Sequence, residues 1–307
     1  MHDLIIIGAG PAGLTAALYA GRFRMNTLIF EKMACGGQII LSPQIENYPG
    51  FPGGISTFEL ADKFKKQVEE LAVTIEDSEV TEIGQGLESG KAVFNVKTQN
   101  GNFQAKSIII ASGAQAKKLG VKGEDKFIGR GISYCGTCDG PLFKNKDIAV
   151  IGGGDRALED AIFLTSYAAK VYLIHRRAAF RGSKILEEKV RANPKIDLIL
   201  DSVVEEISGR DKVEALKVKN LKANSSSEIS CQGVFIFVGI EPNTAFLKNL
   251  LEMDEHEFII TDEEMRSSKD GIFACGDCRK KSLYQVVTAC ADGAIAANAV
   301  HKYLLNQ

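Results

Sequence analysis

Leu4-Ile5-Ile6-Ile7-Gly8-Ala9-Gly10-Pro11-Ala12-Gly13 is an apolar run that ends in a glycine turn, and Leu14 to Ala20 after it is helix-compatible. The same order returns at an offset of 144 residues (8 to 152): Ile148-Ala149-Val150-Ile151, then Gly152-Gly153-Gly154-Asp155-Arg156-Ala157, then Leu158 to Thr165. A lone G-x-G-x-x-G is weak evidence. Here each copy has the strand before and the helix after that a dinucleotide-binding turn requires. The first glycine (Gly8, Gly152) permits the tight turn, and the second (Gly10, Gly154) lets a pyrophosphate reach the backbone. The third position (Gly13, Ala157) lets helix and strand pack closely. The phosphates then meet N–H groups at the start of a helix.

The repeat extends to the next strand. Thr27-Leu28-Ile29-Phe30 ends at Glu31, and Lys170-Val171-Tyr172-Leu173-Ile174 ends at His175, each 18 residues past the third fingerprint position (13 to 31, 157 to 175). This position faces an adenosine ribose. Glu31 suits ribose hydroxyls. His175-Arg176-Arg177, with Arg181 nearby, suits a 2′-phosphate, which an acid repels and a guanidinium fork binds bidentately. The alternative is a solvated basic strand end. The expectation is one site for an unphosphorylated adenosine ribose and one for NADPH.

A third set closes the first domain. Ser107-Ile108-Ile109-Ile110 reads as a strand before Ala111-Ser112-Gly113-Ala114, and Gly271-Ile272-Phe273-Ala274-Cys275 as a buried strand before Gly276-Asp277. Such a corner presents a backbone N–H and a carboxylate to a flavin's pyrophosphate and ribityl chain. Val286 to Tyr303 is Ala-rich and free of proline, a closing helix. The fold expected is α/β: two three-layer, Rossmann-like dinucleotide-binding domains, with residues 115–244 inserted into a discontinuous domain of 1–114 and 245–307. Junctions are expected at Gly113 to Gly120 and at Gly239-Ile240-Glu241-Pro242-Asn243, and Ser225-Ser226-Ser227 reads as a simple hairpin or surface loop.

Composition agrees and excludes much. The 307 residues make two domains' worth, and 30 glycines exceed the ordinary ~7%. Lys plus Arg number 37 against 39 Asp plus Glu, a net charge of −2, which leaves no electrostatic footprint for nucleic acid or an anionic membrane. No apolar stretch is long enough to span a bilayer, and Ile5 to Ile7 lacks the basic flank of a signal peptide. Seven cysteines in a chain of this length suggest catalysis, metal or core packing rather than a disulfide framework, and a cytoplasmic setting.

Cys135-Gly136-Thr137-Cys138-Asp139-Gly140 holds a Cys-x-x-Cys, and Cys275-Gly276-Asp277-Cys278 repeats the spacing. Together they allow a four-thiolate zinc site. The stronger reading is no metal and a redox role for Cys135 and Cys138, whose spacing lets the sulfurs bond. Asp139 is either a general acid for a leaving thiolate or reduced flavin, or a turn cap before Gly140-Pro141. Cys275 and Cys278 are expected to pack beside the cofactor, with a side redox role as the alternative. Cys35, Cys231 and Cys290 read as small core residues.

In this order the motifs Gly8 to Gly13, Gly36-Gly37-Gln38, Glu46-Asn47-Tyr48-Pro49-Gly50, Cys135 to Gly140, His175-Arg176-Arg177 with Arg181, and Gly276-Asp277 with Gln285 resemble the bacterial-type, low-molecular-weight thioredoxin reductases, which are FAD-dependent pyridine nucleotide-disulfide oxidoreductases. The resemblance runs along essentially the whole chain. It implies a homodimer with one FAD per subunit, NADPH as donor, and thioredoxin or a similar dithiol protein as acceptor. Gly8, Gly10, Pro11, Ala12, Gly13, Glu31, Gly37, Gln38, Asn47, Gly113, Gly276, Asp277, Gln285 and Val286 would serve FAD. Gly152, Gly154, Ala157, His175, Arg176, Arg177 and Arg181 would serve NADPH. By resemblance Cys138 is the sulfur nearer the flavin, Cys135 attacks thioredoxin, and the inserted domain rotates about its two junctions. Four residues depart from the family's habit: Gly136 for alanine, Arg156 for a small polar residue, Cys275 for alanine, and Tyr284 for a basic residue. Arg156 would either help the pyrophosphate or block the nicotinamide. Rival readings are the same fold with another donor such as ferredoxin or another dithiol protein, a non-catalytic redox sensor, and a peroxide-forming oxidase.

Overall fold

Chain order opens with β1 (His2–Ile7), α1 (Pro11–Arg22) and β2 (Thr27–Glu31), the first fingerprint segment. Two short strands, β3 (Gln44–Ile45) and β4 (Ile55–Ser56), lead to α2 (Thr57–Glu69), β5 (Thr74–Asp77), β6 (Val80–Glu88), β7 (Lys91–Thr98) and β8 (Gly101–Ile110). After β9 (Ala114–Ala116) come α3 (Glu124–Phe127), β10 (Ile132–Ser133), α4 (Gly136–Asp139), β11 (Asp147–Gly152), α5 (Asp155–Leu164), β12 (Lys170–Ile174) and α6 (Lys184–Ala192). β13 (Ile196–Ile199), β14 (Ser202–Ser208), β15 (Ala215–Asn220), β16 (Ser225–Ser230) and β17 (Gly233–Phe237) follow. β18 (Ile240–Pro242), β19 (Ile272–Ala274) and α7 (Val286–Leu305) complete the chain. This computed structural model describes all residues except 42, 43, 46, 89, 90, 135 and 248, and the backbone alone at 41, 44, 88, 91, 137 and 138.

The chain divides into two units, Met1–Gln115 with Glu241–Gln307, and Ala116–Ile240. In the first, the sheet runs β5-β2-β1-β8-β7-β6, with β19 also paired to β8. β1 is parallel to both β2 and β8, so Leu4 to Ile7 is a central strand covered on both faces, and its unbroken apolar run follows from that. Leu4, Ile6, Ile29, Ile109 and Phe273 pack against α1 and α7, while Ile5, Ile7, Phe30, Ile108 and Ile110 pack with Ile83, Phe94 and Val96 of the antiparallel β6–β7 pair. Each such side chain contributes ~1.5–3 kcal/mol of burial. α1 and α7 meet through small residues; a Cβ on Gly293 would strike the Ala12 carbonyl.

The second unit repeats the design with a parallel sheet β10-β17-β11-β12-β13. Ile148, Val150, Val171, Leu173 and Phe235 face Ala157, Leu158, Ala161 and Leu164 of α5. Ala149, Ile151, Val234 and Ile236 face Val204, Ile207, Leu216 and Val218 of the antiparallel β14-β15-β16 sheet. Helix, parallel sheet and antiparallel sheet make three layers. Of the two readings of Ser225-Ser226-Ser227, the hairpin holds and the loop does not: the serines belong to β16, in register with Asn220, Lys219 and Val218 of β15, and the turn precedes them. Its serines are exposed on an edge strand, so their polarity reports solvent rather than missing pairing. Among the described residues no helix is long and apolar enough to cross a membrane.

Candidate functional site

In the first unit, the turn between β1 and α1 uses its glycines in three different ways. Gly8 has φ +106°, and a Cβ there would strike the Ala111 carbonyl; one on Gly13 would strike the Gly8 carbonyl. These two are required by packing. Gly10 has nothing within 4 Å of where its Cβ would be, so its open side leaves the backbone approachable. Pro11 opens α1, which has no side-chain cap. Glu31 Oε2 accepts the Ala9 N–H at 2.7 Å and Oε1 accepts the Met33 N–H at 3.0 Å, so the acid expected at the ribose also ties β2 to the turn. The loop at Gly36-Gly37-Gln38 lies on the same turn: Gly36 N–H donates to the Ala9 carbonyl at 2.8 Å, and a Cβ on Gly37 would lie 3.2 Å from Gly10 Cα.

The Gly276 corner reaches the same helix start. Gly276 has φ +76°, and a Cβ there would lie 2.7 Å from Ala12 Cβ. Its N–H donates to Asp292 Oδ2 at 3.1 Å. Asp292 is also paired with Arg279 (3.4 Å) and Lys281 (3.3 Å), and Lys281 lies 3.0 Å from Asp277 Oδ1. Asp277 Oδ1 is buried against the Lys281 ammonium, while a third of the Asp277 side chain remains exposed. Asn47 Nδ2 donates to Gln285 Oε1 at 3.0 Å, just ahead of Val286 at the start of α7. Gly113, at φ +66°, opens onto free space. Glu46 of the same motif lies outside the described residues.

In the second unit Gly152 is pressed against the Phe237 carbonyl, and its Cβ would lie 2.7 Å from Ala157 Cβ, while Gly154, like Gly10, has nothing within 4 Å. Arg176, Arg177 and Arg181 are exposed. His175 is not: only 6% exposed, it lies under the turn where a Cβ on Gly153 would strike its ring, with Nε2 3.2 Å from the Ala179 carbonyl and the Phe180 ring stacked at 5.4 Å. Burial foremost, with the arginines around it, lowers its pKa. His175 thus packs the turn, and the outward cationic set is the three arginines.

Cys135 and the side chain of Cys138 lie outside the described residues; the chain around them is well tied. Tyr134 donates its hydroxyl to Glu124 Oε1 at 2.6 Å, and Glu124, itself buried, accepts the N–H groups of Leu119 and Gly120. Burial, with the Glu124 carboxylate, pushes the Tyr134 phenol up. Arg156 Nη2 donates to the Tyr134 carbonyl at 3.0 Å, its guanidinium lies 5.2 Å from the Phe237 ring centre, and its Nε is 3.8 Å from Asp160 Oδ2. Arg156 is thus held by contacts within its own unit. Among the described residues the Asp139 side chain makes no cap hydrogen bond to the turn that begins at Gly140.

Among the described residues no group of three or more His, Cys, Asp or Glu is placed to hold a metal. Cys275 and Cys278 are fully buried, and the Cys278 thiol donates to the Ile110 and Cys275 carbonyls. Burial pushes the Cys278 thiol up to about 11 and the Cys275 thiol well above its ordinary value, so both are packed thiols rather than nucleophiles. Cys231 is likewise core, whereas Cys35 and Cys290 are half-buried. Cys290 lines a cavity of about 300 Å³, with its sulfur 3.9 Å from the Tyr48 hydroxyl.

A model of the pyridine nucleotide-disulphide oxidoreductase family matches residues 2–293. The chain belongs to that family. It is 44% identical over 303 residues to thioredoxin reductase from Treponema pallidum, covering 99% of this chain and 97% of the relative. The crystal structure of Lactococcus lactis thioredoxin reductase superposes with a TM-score of 0.96 at 41% identity, covering both chains entirely. That of T. acidophilum thioredoxin reductase gives 0.92 at 35% identity, covering 99% of each.

Two groups in this pyridine nucleotide-disulphide oxidoreductase escape a motif reading. Asp292, with its partners Arg279 and Lys281, had a signal: it is the sole charge between Val286 and Val300. Asp160 had another, four residues after Arg156 on one helix face.

Proposed function

We propose that the chain is an NADPH-dependent, FAD-containing disulfide reductase that reduces thioredoxin through a Cys135–Cys138 disulfide. One observation carries this reading: two fingerprint turns in a single chain each keep the middle glycine, Gly10 and Gly154, facing open space. Packing needs the other glycines of these turns; only a ligand at the backbone needs these two. The full-length similarity to thioredoxin reductases supports the acceptor.

The unit of Met1–Gln115 with Glu241–Gln307 fits FAD, with Gly8, Gly10, Pro11, Ala12 and Gly13 at the pyrophosphate. Glu31 would serve the ribose, and Gly37, Gln38, Asn47, Gly113, Gly276, Asp277, Gln285 and Val286 the rest. The unit Ala116–Ile240 fits NADPH, with Gly152, Gly154 and Ala157 at the turn and Arg176, Arg177 and Arg181 at the 2′-phosphate. His175 acts there by holding Gly153. When bound, FAD supplies the two-electron relay between a hydride donor and a disulfide.

The chain's own chemistry is thiol–disulfide exchange. The Cys135 thiolate attacks one sulfur of oxidised thioredoxin and the other leaves as thiolate. Cys138 then attacks Cys135 in the mixed disulfide, which closes Cys135–Cys138 and frees the second thioredoxin thiolate. Asp139, next to Cys138 in sequence, holds a proton for a leaving sulfur. A cytoplasmic homodimer is the assembly this reading carries.

The test is a yellow protein, as purified, that reduces thioredoxin with NADPH, read by DTNB. Cys135→Ser and Cys138→Ser should each abolish turnover and keep the flavin. A colourless protein, or serine variants at the unaltered rate, overturns the reading. Bleaching by reduced ferredoxin and not by NADPH replaces the donor.

A further inference from the structure

Gly136 and Arg156 lie 20 residues apart in sequence, and one side chain, Asp160, stands against both. Asp160, on α5, directs its carboxyl at the first residue of α4. A Cβ on Gly136 would lie 2.5 Å from Asp160 Oδ1, 3.0 Å from Cγ and 3.3 Å from its Cβ. The carboxyl therefore occupies the space that any side chain at 136 would need. It is only 12% exposed, and Arg156, one helical turn earlier, approaches it at 3.8 Å. The same Arg156 donates to the carbonyl of Tyr134, the residue before Cys135. Glu124 holds that residue's hydroxyl. Tyr134, just ahead of Cys135 in sequence, is thus held by Arg156 and Glu124, and the Asp160 carboxyl lies against Gly136 just after it.

Resting on the proposed role of Cys135 and Cys138, we infer that Asp160 and Arg156 are a positioning pair for this dithiol, through which the charge on a buried carboxyl adjusts the reactivity of the thiols. Glycine at 136 is the steric counterpart of aspartate at 160.

Charge gives this pair a second effect. Burial raises the Asp160 carboxyl to about 7; Arg156 opposes that shift and exposed Glu159 adds to it. The titratable groups of the neighbouring stretch of sequence are Tyr134, whose hydroxyl is held by Glu124, Cys135, Cys138 and Asp139. Near neutral pH the carboxyl passes between neutral and anionic forms against the peptide that separates Cys135 from Thr137. An anion there disfavours a neighbouring thiolate. The packing is compatible with both forms, since Arg156 stands beside the anion and burial suits the neutral acid. No proton needs to travel from Asp160 to sulfur for this coupling to operate.

The experiment is the rate of iodoacetamide alkylation at Cys135 and Cys138 in the reduced holoenzyme, followed by mass spectrometry from pH 5.5 to 9. Asp160→Asn should lower the apparent thiol pKa by about half a unit, roughly a threefold gain in alkylation near pH 7, and remove the inflection that Asp160 imposes. Flavin absorbance checks that the variant is folded. A profile superimposable on the unaltered protein's overturns the inference. A steric cycle gives the second test: Gly136→Ala should slow turnover with thioredoxin, and Asp160→Ser added to it should restore the rate. Additive losses in the double variant overturn the inference equally. Full turnover in Cys135→Ser or Cys138→Ser would instead remove the dithiol reading on which it stands.

Discussion

Asn47 Nδ2 donates to Gln285 Oε1 at 3.0 Å across a sequence separation of 238 residues, so a loop of the first fingerprint half and the start of the last helix hold each other. Gln285 in turn donates its N–H to Thr288 Oγ1 at 3.2 Å, which fixes the first turn of α7. Asn47→Ala removes a contact between two neutral groups, worth ~1 kcal/mol. FAD affinity of the apoprotein should weaken roughly fivefold in a fluorescence titration, with the thermal midpoint little changed. Unaltered affinity would show that this pair orders the protein without serving the flavin.

The three exposed arginines make a separate prediction about the donor. Removing one charge-assisted contact costs ~1.5–3 kcal/mol, roughly 10- to 100-fold. Arg176→Ala should raise the KM for NADPH by that factor and leave the KM for NADH nearly unchanged, which narrows the preference. Steady-state kinetics with both donors decide it. If the preference survives loss of Arg176 and Arg177 together, the phosphate is bound elsewhere.

The repeated strand–turn–helix was legible because its signals are local: an apolar run, glycines at fixed offsets, and a strand ending 18 residues on. Even the division of labour among the glycines can be read from the motif, and Gly8, Gly10 and Gly13 differ in space as they should. Side-chain direction was less legible. His175 holds the register of a ribose residue but turns inward, because Gly153 beside it has no Cβ and leaves room for the ring. Ser225 to Ser227 read as either a hairpin or a surface loop because an edge strand exposed to solvent has the composition of a loop; the structure holds the hairpin. Arg156 stood out as an anomaly, but its reason lies in Tyr134, Phe237 and Asp160, which chain order places far apart or leaves unremarked.

Asp292 is a nearly buried carboxylate that faces two cations. Its side chain is 11% exposed, that of Arg279 14% and that of Lys281 7%. Breaking a buried pair by removing one partner costs ~3–5 kcal/mol because the other charge stays behind. Asp292→Ala takes the carboxylate from Arg279 and the acceptor from the Gly276 N–H, while Lys281 keeps Asp277; Asp292→Asn keeps an acceptor for that N–H. Urea unfolding should therefore rank the unaltered protein above Asn and Asn above Ala, with flavin lost earlier in the same order. An alanine variant with an unchanged midpoint would show that the network contributes no net stability.

Asp160 makes stability depend on pH in a direction opposite to the usual carboxylate. Burial raises it from an ordinary 3.8 to about 7. Between those values the folded chain keeps a proton that the unfolded chain has released, so the folded state binds more protons and loses stability as pH rises. The contribution is fully present below about pH 4, declines through the interval, and is gone above about 7. The slope cannot exceed ~1.4 kcal/mol per pH unit for one group. Asp160→Asn places a neutral isostere in the same space and lacks this slope. Its stability relative to the unaltered protein should rise from pH 4.5 to 7 and level off beyond, whatever other carboxylates do, since they are common to both. Urea midpoints at four pH values across that range measure it, and a flat difference would mean that Asp160 ionises in the folded protein as readily as in the unfolded chain.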